Sequence, residues 1–84
     1  MDKKTINVFV EQSHIDAATP CVSSACALAL AIKALGFSEV FVYGRALIID
    51  NKHYWMDGKG LAFVAAFDHG LPVEPTLITL ELLS

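Results

Sequence analysis

Residues 21–35, CVSSACALALAIKAL, are the most apolar helical segment of the chain. Leu28 and Ile32 lie one turn apart on one face, and five alanines cover much of the remaining surface. Thr19-Pro20 predicts the start of this helix, and Gly36 predicts its C-terminal cap. A helix that is apolar nearly all round is usually buried on more than one side. We therefore expect this helix to pack closely against a sheet.

The segments around this helix predict a small antiparallel sheet. A second helix is predicted at Leu61–Asp68, whereas Glu11–Thr19 has the composition of a surface loop and Asp57–Gly60 that of a chain break. The strands are predicted, from alternation and turn residues, at Thr5–Val10, Ser38–Tyr43, Ala46–Asp50, His53–Met56 and Thr76–Leu83. The predicted fold class is α+β, in the order β-α-β-β-β-α-β. A single-layer antiparallel sheet of four or five strands carries the Ala-rich helix on one face, and residues 1–84 form one domain.

Composition and charge limit the classes of function. The chain has 84 residues, of which 55% are hydrophobic and 18% charged, which excludes intrinsic disorder and leaves apolar surface for a partner or a second copy. Nine acidic against six basic residues give a net charge of −3, which argues against direct nucleic-acid binding. The N-terminus lacks a long apolar segment, and the apolar run in the helix is too short to span a bilayer. We expect a cytoplasmic protein that does not bind membranes.

Cys21 is the residue that most resembles a nucleophile, because it would lie in the first turn of the predicted helix. His14, seven residues upstream, could serve as its base in a cysteine hydrolase. The competing interpretation is that Cys21 is a small apolar residue beside the core. Cys21 and Cys26 would point about 140° apart on a helix, which disfavours a shared metal ion. We expect Cys26 in the core, no metal and no cofactor.

An aromatic group is the next feature of the sequence. It comprises Phe41, Tyr43 and the segment Tyr54-Trp55-Met56. Such side chains could stack on bases, as the sheet aromatics of single-strand binders do. Since no basic groove accompanies them, core and interface packing is the favoured interpretation.

Basic residues are absent from residues 5–32 and 60–84, whereas acidic residues occur in both stretches. If the first and last strands are neighbours, these carboxylates could form one negative face, as an alternative to an ordinary solvated surface. Such a face is attracted to basic grooves, including grooves built for DNA. The predicted partner-binding residues are Glu11, Asp16, Asp68, Glu74 and Glu81.

Several segments together resemble a group of small phage-encoded and prophage-encoded proteins. They are His14-Ile15-Asp16, Cys21, Cys26–Ile32, Phe63–Asp68 and Gly70–Pro75. In that group a His-Ile pair precedes a cysteine-containing loop, and the helix opens with Cys-Pro-(Ile/Val)-Ala-Leu-Ala-Leu. A Phe-Asp pair and a Gly-x-Pro-Val-x-Pro ending follow. Ala27 stands where the group usually has proline, which suggests that the helix begins earlier here, at Pro20.

The resemblance implies a function, because a protein similar to this group is an anti-CRISPR protein that blocks a CRISPR surveillance complex by binding. We therefore expect a mobile-element inhibitor, not an enzyme, that binds a CRISPR effector subunit in the host cytoplasm. It would act as a DNA mimic, occluding a nucleic-acid site sterically and with its carboxylates. One alternative is a structural phage protein that self-associates. The expected oligomeric state is a monomer or a homodimer. The other is the Cys21/His14 hydrolase.

Overall fold

The structure, a computed structural model, describes residues 4–19, 22 and 24–83. It confirms the predicted fold class, an α+β fold with one antiparallel sheet. The elements, numbered along the chain, are β1 (Thr5–Val10), α1 (Gln12–Ala17), α2 (Ala27–Ala34), β2 (Val40–Tyr43), β3 (Ala46–Ile49), β4 (Lys52–Met56), α3 (Gly58–Asp68) and β5 (Thr76–Leu82).

The five strands lie in the order β1-β5-β4-β3-β2, and every neighbouring pair is antiparallel. The last strand therefore lies between the first strand and the β2–β3–β4 meander, which forms the other side of the sheet. Two tight turns connect the meander. Gly44, with a φ of 58°, opens the first turn, and Asp50 and Asn51, with φ of 48° and 69°, form the second. Positive φ at these positions matches the twist of the flanking strands.

Alternation along the strands divides the sheet into two unlike faces. The face toward the helices, here called the inner face, supplies the fully buried core residues Val8, Val10, Val40, Leu47, Ile49, Met56, Ile78 and Leu80. Helix α2 packs over β1 and β2, and α3 packs over β4 and β5. The opposite face, here called the outer face, includes exposed apolar residues such as Phe9 and Leu77. Among the described residues, then, the helices form a layer on only one face.

Helix α2 is the centre of the core but begins later than predicted. Five of its eight residues are buried, as expected of the Ala-rich segment. Its N-cap is Cys26, whose Sγ accepts a hydrogen bond from the Ala29 amide at 3.4 Å. The predicted cap residue, Thr19, is not part of the helix, and its amide donates to the Ala25 carbonyl at 2.8 Å. Ser24–Ala25 form a turn, and Pro20 lies outside the described residues. Ala27 therefore occupies the first helical position, where the resembling group has the proline that this position favours.

Two further boundaries differ from the predictions, because bonds between side chains and backbone start helices in polar segments. The predicted loop Glu11–Thr19 contains α1, at whose start the Glu11 amide donates to Nδ1 of His14 at 3.0 Å. The predicted break at Asp57–Gly60 is instead the start of α3. One oxygen of Asp57 accepts from the Gly60 amide at 2.8 Å, and the other accepts from the Thr79 amide at 3.2 Å. Asp57 thereby joins the start of α3 to β5.

Gly60 sets how closely α3 approaches the sheet. A Cβ atom at this position would lie 2.7 Å from Cγ2 of Ile78 and 2.9 Å from Cβ of Met56. Both neighbours are fully buried, so they have little freedom to move aside. Gly58, two residues earlier in the same helix, has no atom within 4 Å of the corresponding position.

We predict that Gly60→Ala lowers the free energy of unfolding by about 1–3 kcal/mol, because the added methyl group overpacks the core. Gly58→Ala is the matched control. It should leave stability unchanged or raise it by up to about 1 kcal/mol, since alanine is the better helix former. Urea unfolding followed by circular dichroism measures both variants. Equal stability of the two would show that α3 does not depend on close approach at Gly60.

Candidate functional site

Two of the five predicted carboxylates lie at the same end of the sheet, and a third lies on the short helix that follows one of them. Val10, the last residue of β1, pairs with Thr76, the first residue of β5. Glu11 follows β1 directly and Glu74 precedes β5 by two residues, so the strand pairing places them at the same end of the sheet. Asp16 lies on α1, which begins immediately after Glu11. All three side chains are exposed, and we call this group the acidic end.

The other two predicted carboxylates lie elsewhere. Asp68 ends α3 and lines a cleft of about 400 Å³ on the helix side of the sheet, together with Cys26 and Val42. Glu81 lies on the outer face, between Thr5 of β1 and Trp55 of β4. The first and last strands are indeed neighbours, but the five carboxylates do not form a single face. That any of them contacts a partner stays a prediction.

His14 has a structural contact that bears on the hydrolase alternative. Its Nδ1 accepts a hydrogen bond from the Glu11 amide at 3.0 Å, at the start of α1. In the neutral imidazole, Nε2 then carries the proton, so neither nitrogen offers a free lone pair while this contact lasts. Action as a base requires the contact to break. Cys21 lies outside the described residues, and its role as a nucleophile stays a prediction.

Cys26 is buried beneath the cleft that Asp68 lines. Only 4% of its surface is exposed, and burial raises the pKa of the thiol, with the nearby Asp68 carboxylate adding to the effect. The hydrogen bond from the Ala29 amide opposes this shift without cancelling it. The thiol is therefore protonated at neutral pH. It serves as a helix cap and core residue, as expected of Cys26, in place of the reactive thiolate that the start of a helix otherwise favours.

The aromatic residues that the sequence groups together lie on opposite faces of the sheet. Tyr54 and Met56 point into the core, whereas Trp55 lies between them on the outer face. The pairings of Phe41 with Ile48 and of Ile48 with His53 place a row of side chains beside Trp55. We call the resulting outer-face surface the aromatic patch, and its members are Phe41, Tyr43, Ile48, His53, Trp55 and Leu83.

Arg45 lies at the edge of the aromatic patch. Its guanidinium carbon is 4.7 Å from the centre of the Trp55 ring, which is the geometry of a cation–π contact. Its Nε donates to the Met56 carbonyl at 3.2 Å. Both contacts hold this long side chain in one place. Sequence reasoning finds the aromatic residues of this surface but not Arg45, because the contact between Arg45 and the Trp55 ring depends on how β3 pairs with β4.

The described residues give no sign of a metal centre or a membrane-spanning helix. Within residues 4–19, 22 and 24–83, no three His, Cys, Asp or Glu side chains are close enough to bind a metal ion. No helix in this part of the chain has the length and apolar character that crossing a bilayer requires. Comparison with known protein families, curated proteins and solved structures found no match to this chain.

The geometry therefore offers two surfaces for binding. The acidic end carries exposed carboxylates suited to Lys and Arg side chains. The aromatic patch carries half-exposed rings suited to an apolar partner surface. The two surfaces involve different parts of the sheet, since the acidic end lies where β5 begins and the patch includes Leu83, just beyond its end.

We predict that Cys26→Ser keeps the stability of the protein within about 1 kcal/mol, because serine is a favoured N-cap and can accept from the Ala29 amide. Cys26→Val should lower the free energy of unfolding by about 1–2 kcal/mol, since valine leaves this amide without an acceptor. Urea unfolding compares the two variants. Indistinguishable stabilities would mean that the thiol only fills space and does not cap α2.

Proposed function

We propose that this protein is a non-enzymatic inhibitor of a host defence system, and specifically that it binds a CRISPR effector complex in the host cytoplasm. The resemblance to small phage-encoded proteins, one of them similar to an anti-CRISPR protein, supports this target. The observation that supports a binding mechanism is the acidic end, where Glu11 and Glu74 lie at one end of the sheet, Asp16 lies on the helix that follows Glu11, and all three are exposed.

The mechanism that we propose is occlusion of a nucleic-acid site. A groove that binds DNA or RNA is lined with Lys and Arg, which recognise phosphate oxygens. Carboxylates offer the same groups a charged acceptor and can form two-pronged hydrogen bonds with Arg. Once the acidic end is bound, the remainder of this 84-residue chain would block the groove sterically.

Electrostatics should affect the rate of association more than the final affinity. Complementary charges steer two proteins together over about one Debye length, roughly 10 Å at moderate salt. Lys59 lines the same surface cleft as Glu74, so the acidic end is not purely negative. The net charge of −3 nevertheless keeps the molecule as a whole attracted to a basic groove.

Reversal of charge at the acidic end should weaken inhibition. We predict that Asp16→Lys combined with Glu74→Lys slows association with the effector complex by at least about tenfold, because two attractions become repulsions. The matched control is Asp68→Lys combined with Glu81→Lys, which changes the net charge equally at the two predicted carboxylates outside this end. The control should retain inhibition.

Affinity capture provides the measurement. Each tagged variant is expressed in a bacterium that carries a CRISPR system, and the bound proteins are identified by mass spectrometry. Interferometry at two salt concentrations then gives the association rates, with thermal unfolding as the check on folding. Capture of an effector subunit by the wild type and the control, but not by the acidic-end variant, supports the proposal. Equal capture by both variants excludes the carboxylate mechanism, and no capture by the wild type excludes the target.

Self-association is a second candidate function, and the aromatic patch favours it. Half-exposed rings on an open sheet face are a common feature of protein interfaces. The mass of the protein in solution discriminates between the two candidates. A stable dimer that captures no effector subunit would favour a structural role.

A further inference from the structure

We propose that two copies of this chain pair face to face through the aromatic patch. The twofold axis would lie between the two sheets, parallel to their planes and perpendicular to the strands, at the middle of the β2–β3 hairpin. This dimer is independent of the proposed inhibition of a host complex, which depends on the acidic end. The argument for a second copy as the occupant rests on the exposed area of the patch and on the charges at its two ends.

The exposed area is large for a small monomer. Tyr43 is 55% exposed, Trp55 44% and Leu83 51%. Two rings and a leucine exposed to this extent leave on the order of 300 Å² of surface. Phe41 and Ile48 are half-buried and His53 is exposed, which extends the surface across the three strands β2, β3 and β4. The largest apolar patch on a typical monomer is about 300–600 Å² and is often an interaction site.

The charges at the two ends of the β2–β3 hairpin are complementary. Arg45 lies in the turn at one end, held over Trp55. Glu39 and Asp50 lie at the other end, where the Asp50 amide donates to the Glu39 carbonyl at 2.9 Å. Both acidic residues are exposed. Lys52 also lies at this second end, but it pairs with the inner-face residue Ile49. On the outer face, one end of the hairpin is therefore basic and the opposite end is acidic.

A twofold axis across the hairpin brings these unlike ends together. Rotation about it reverses the strand direction, so Arg45 of one copy faces Glu39 and Asp50 of the other, and the reverse holds at the opposite end. The same rotation places the row that contains Tyr43 and Trp55 over the row that contains Phe41 and His53. Stacked sheets lie about 10 Å apart, a distance that interdigitated side chains of this size fill.

The expected dimer is of modest size. A stable interface buries about 800 Å² on each partner, whereas the whole described surface is 4998 Å². The three most exposed side chains of the patch, at roughly 300 Å², supply less than half of this area. The dimer should therefore dissociate reversibly on dilution, and it should be observed over a range of protein concentrations.

The first test removes the apolar contact. Tyr43→Ser combined with Trp55→Ser should raise the dissociation constant of the dimer by at least about tenfold, because central aromatic residues dominate such interfaces. Phe9→Ser combined with Leu77→Ser is the matched control. These two residues are 53% and 49% exposed on the same outer face, at the end opposite the patch. The control should dimerise like the wild type.

The second test exchanges the charges. Arg45→Glu should weaken the dimer, since it faces the carboxylates of the other copy. Adding Glu39→Arg to the same chain restores an opposite-charge pair across the interface and should recover most of the lost affinity. Asp50 is left unchanged because its carboxylate accepts from the amides of Ser38 and Glu39.

Sedimentation equilibrium of the full chain, from micromolar to millimolar concentration, gives the dissociation constants. The proposal predicts a wild-type dimer, a monomeric patch variant, an unaffected control and rescue by the exchanged charges. A wild type that is monomeric throughout overturns it, as does a dimer that survives the patch variant. Loss of the dimer in the Phe9/Leu77 control, or no rescue, overturns the proposed geometry. A monomer whose patch variant no longer captures a host complex would assign the patch to that complex instead.

Discussion

The burial of one sheet face under a thin helical layer is the constraint on which the other features depend. The three helices have 6, 8 and 11 residues, and the described parts of α2 and α3 together contact four of the five strands on the same side. The helices bury the apolar residues that occupy alternate positions of all five strands. The other alternate positions remain on the outer face, and the aromatic patch is a direct consequence of this division.

Small residues make so thin a layer possible. Ala27, Ala29 and Ala31 are almost completely buried, which lets α2 lie close to the sheet, and Gly60 does the same for α3. Close packing compensates for the limited apolar surface that a chain of this size can bury. Asp57 adds a specific link, because its two oxygens accept from α3 and from β5.

The strands could be predicted from sequence far better than the helix starts. Alternation alone predicts β1 at its observed bounds and β5 to within one residue. The starts of α2 and α3 depend on which of several polar residues accepts a backbone hydrogen bond. The sequence predicts the start of α2 at Thr19-Pro20, whereas in the structure Cys26 caps the helix. The site is less predictable, because the sequence groups Tyr54 with Trp55 although the two lie on opposite faces of the sheet. The separation of Asp68 and Glu81 from the other carboxylates depends on tertiary packing.

The two candidate binding surfaces are compatible with each other, and this has a consequence for a multi-subunit target. In a twofold dimer through the aromatic patch, each strand of one copy runs opposite to the same strand of the other copy. The two acidic ends therefore lie at opposite extremes of the assembly. Both would remain exposed. A complex with repeated basic sites at a matching distance could then be held by both ends at once, and the second contact would form at a high effective concentration. Dimerisation would then strengthen inhibition without adding any contact at the acidic end itself.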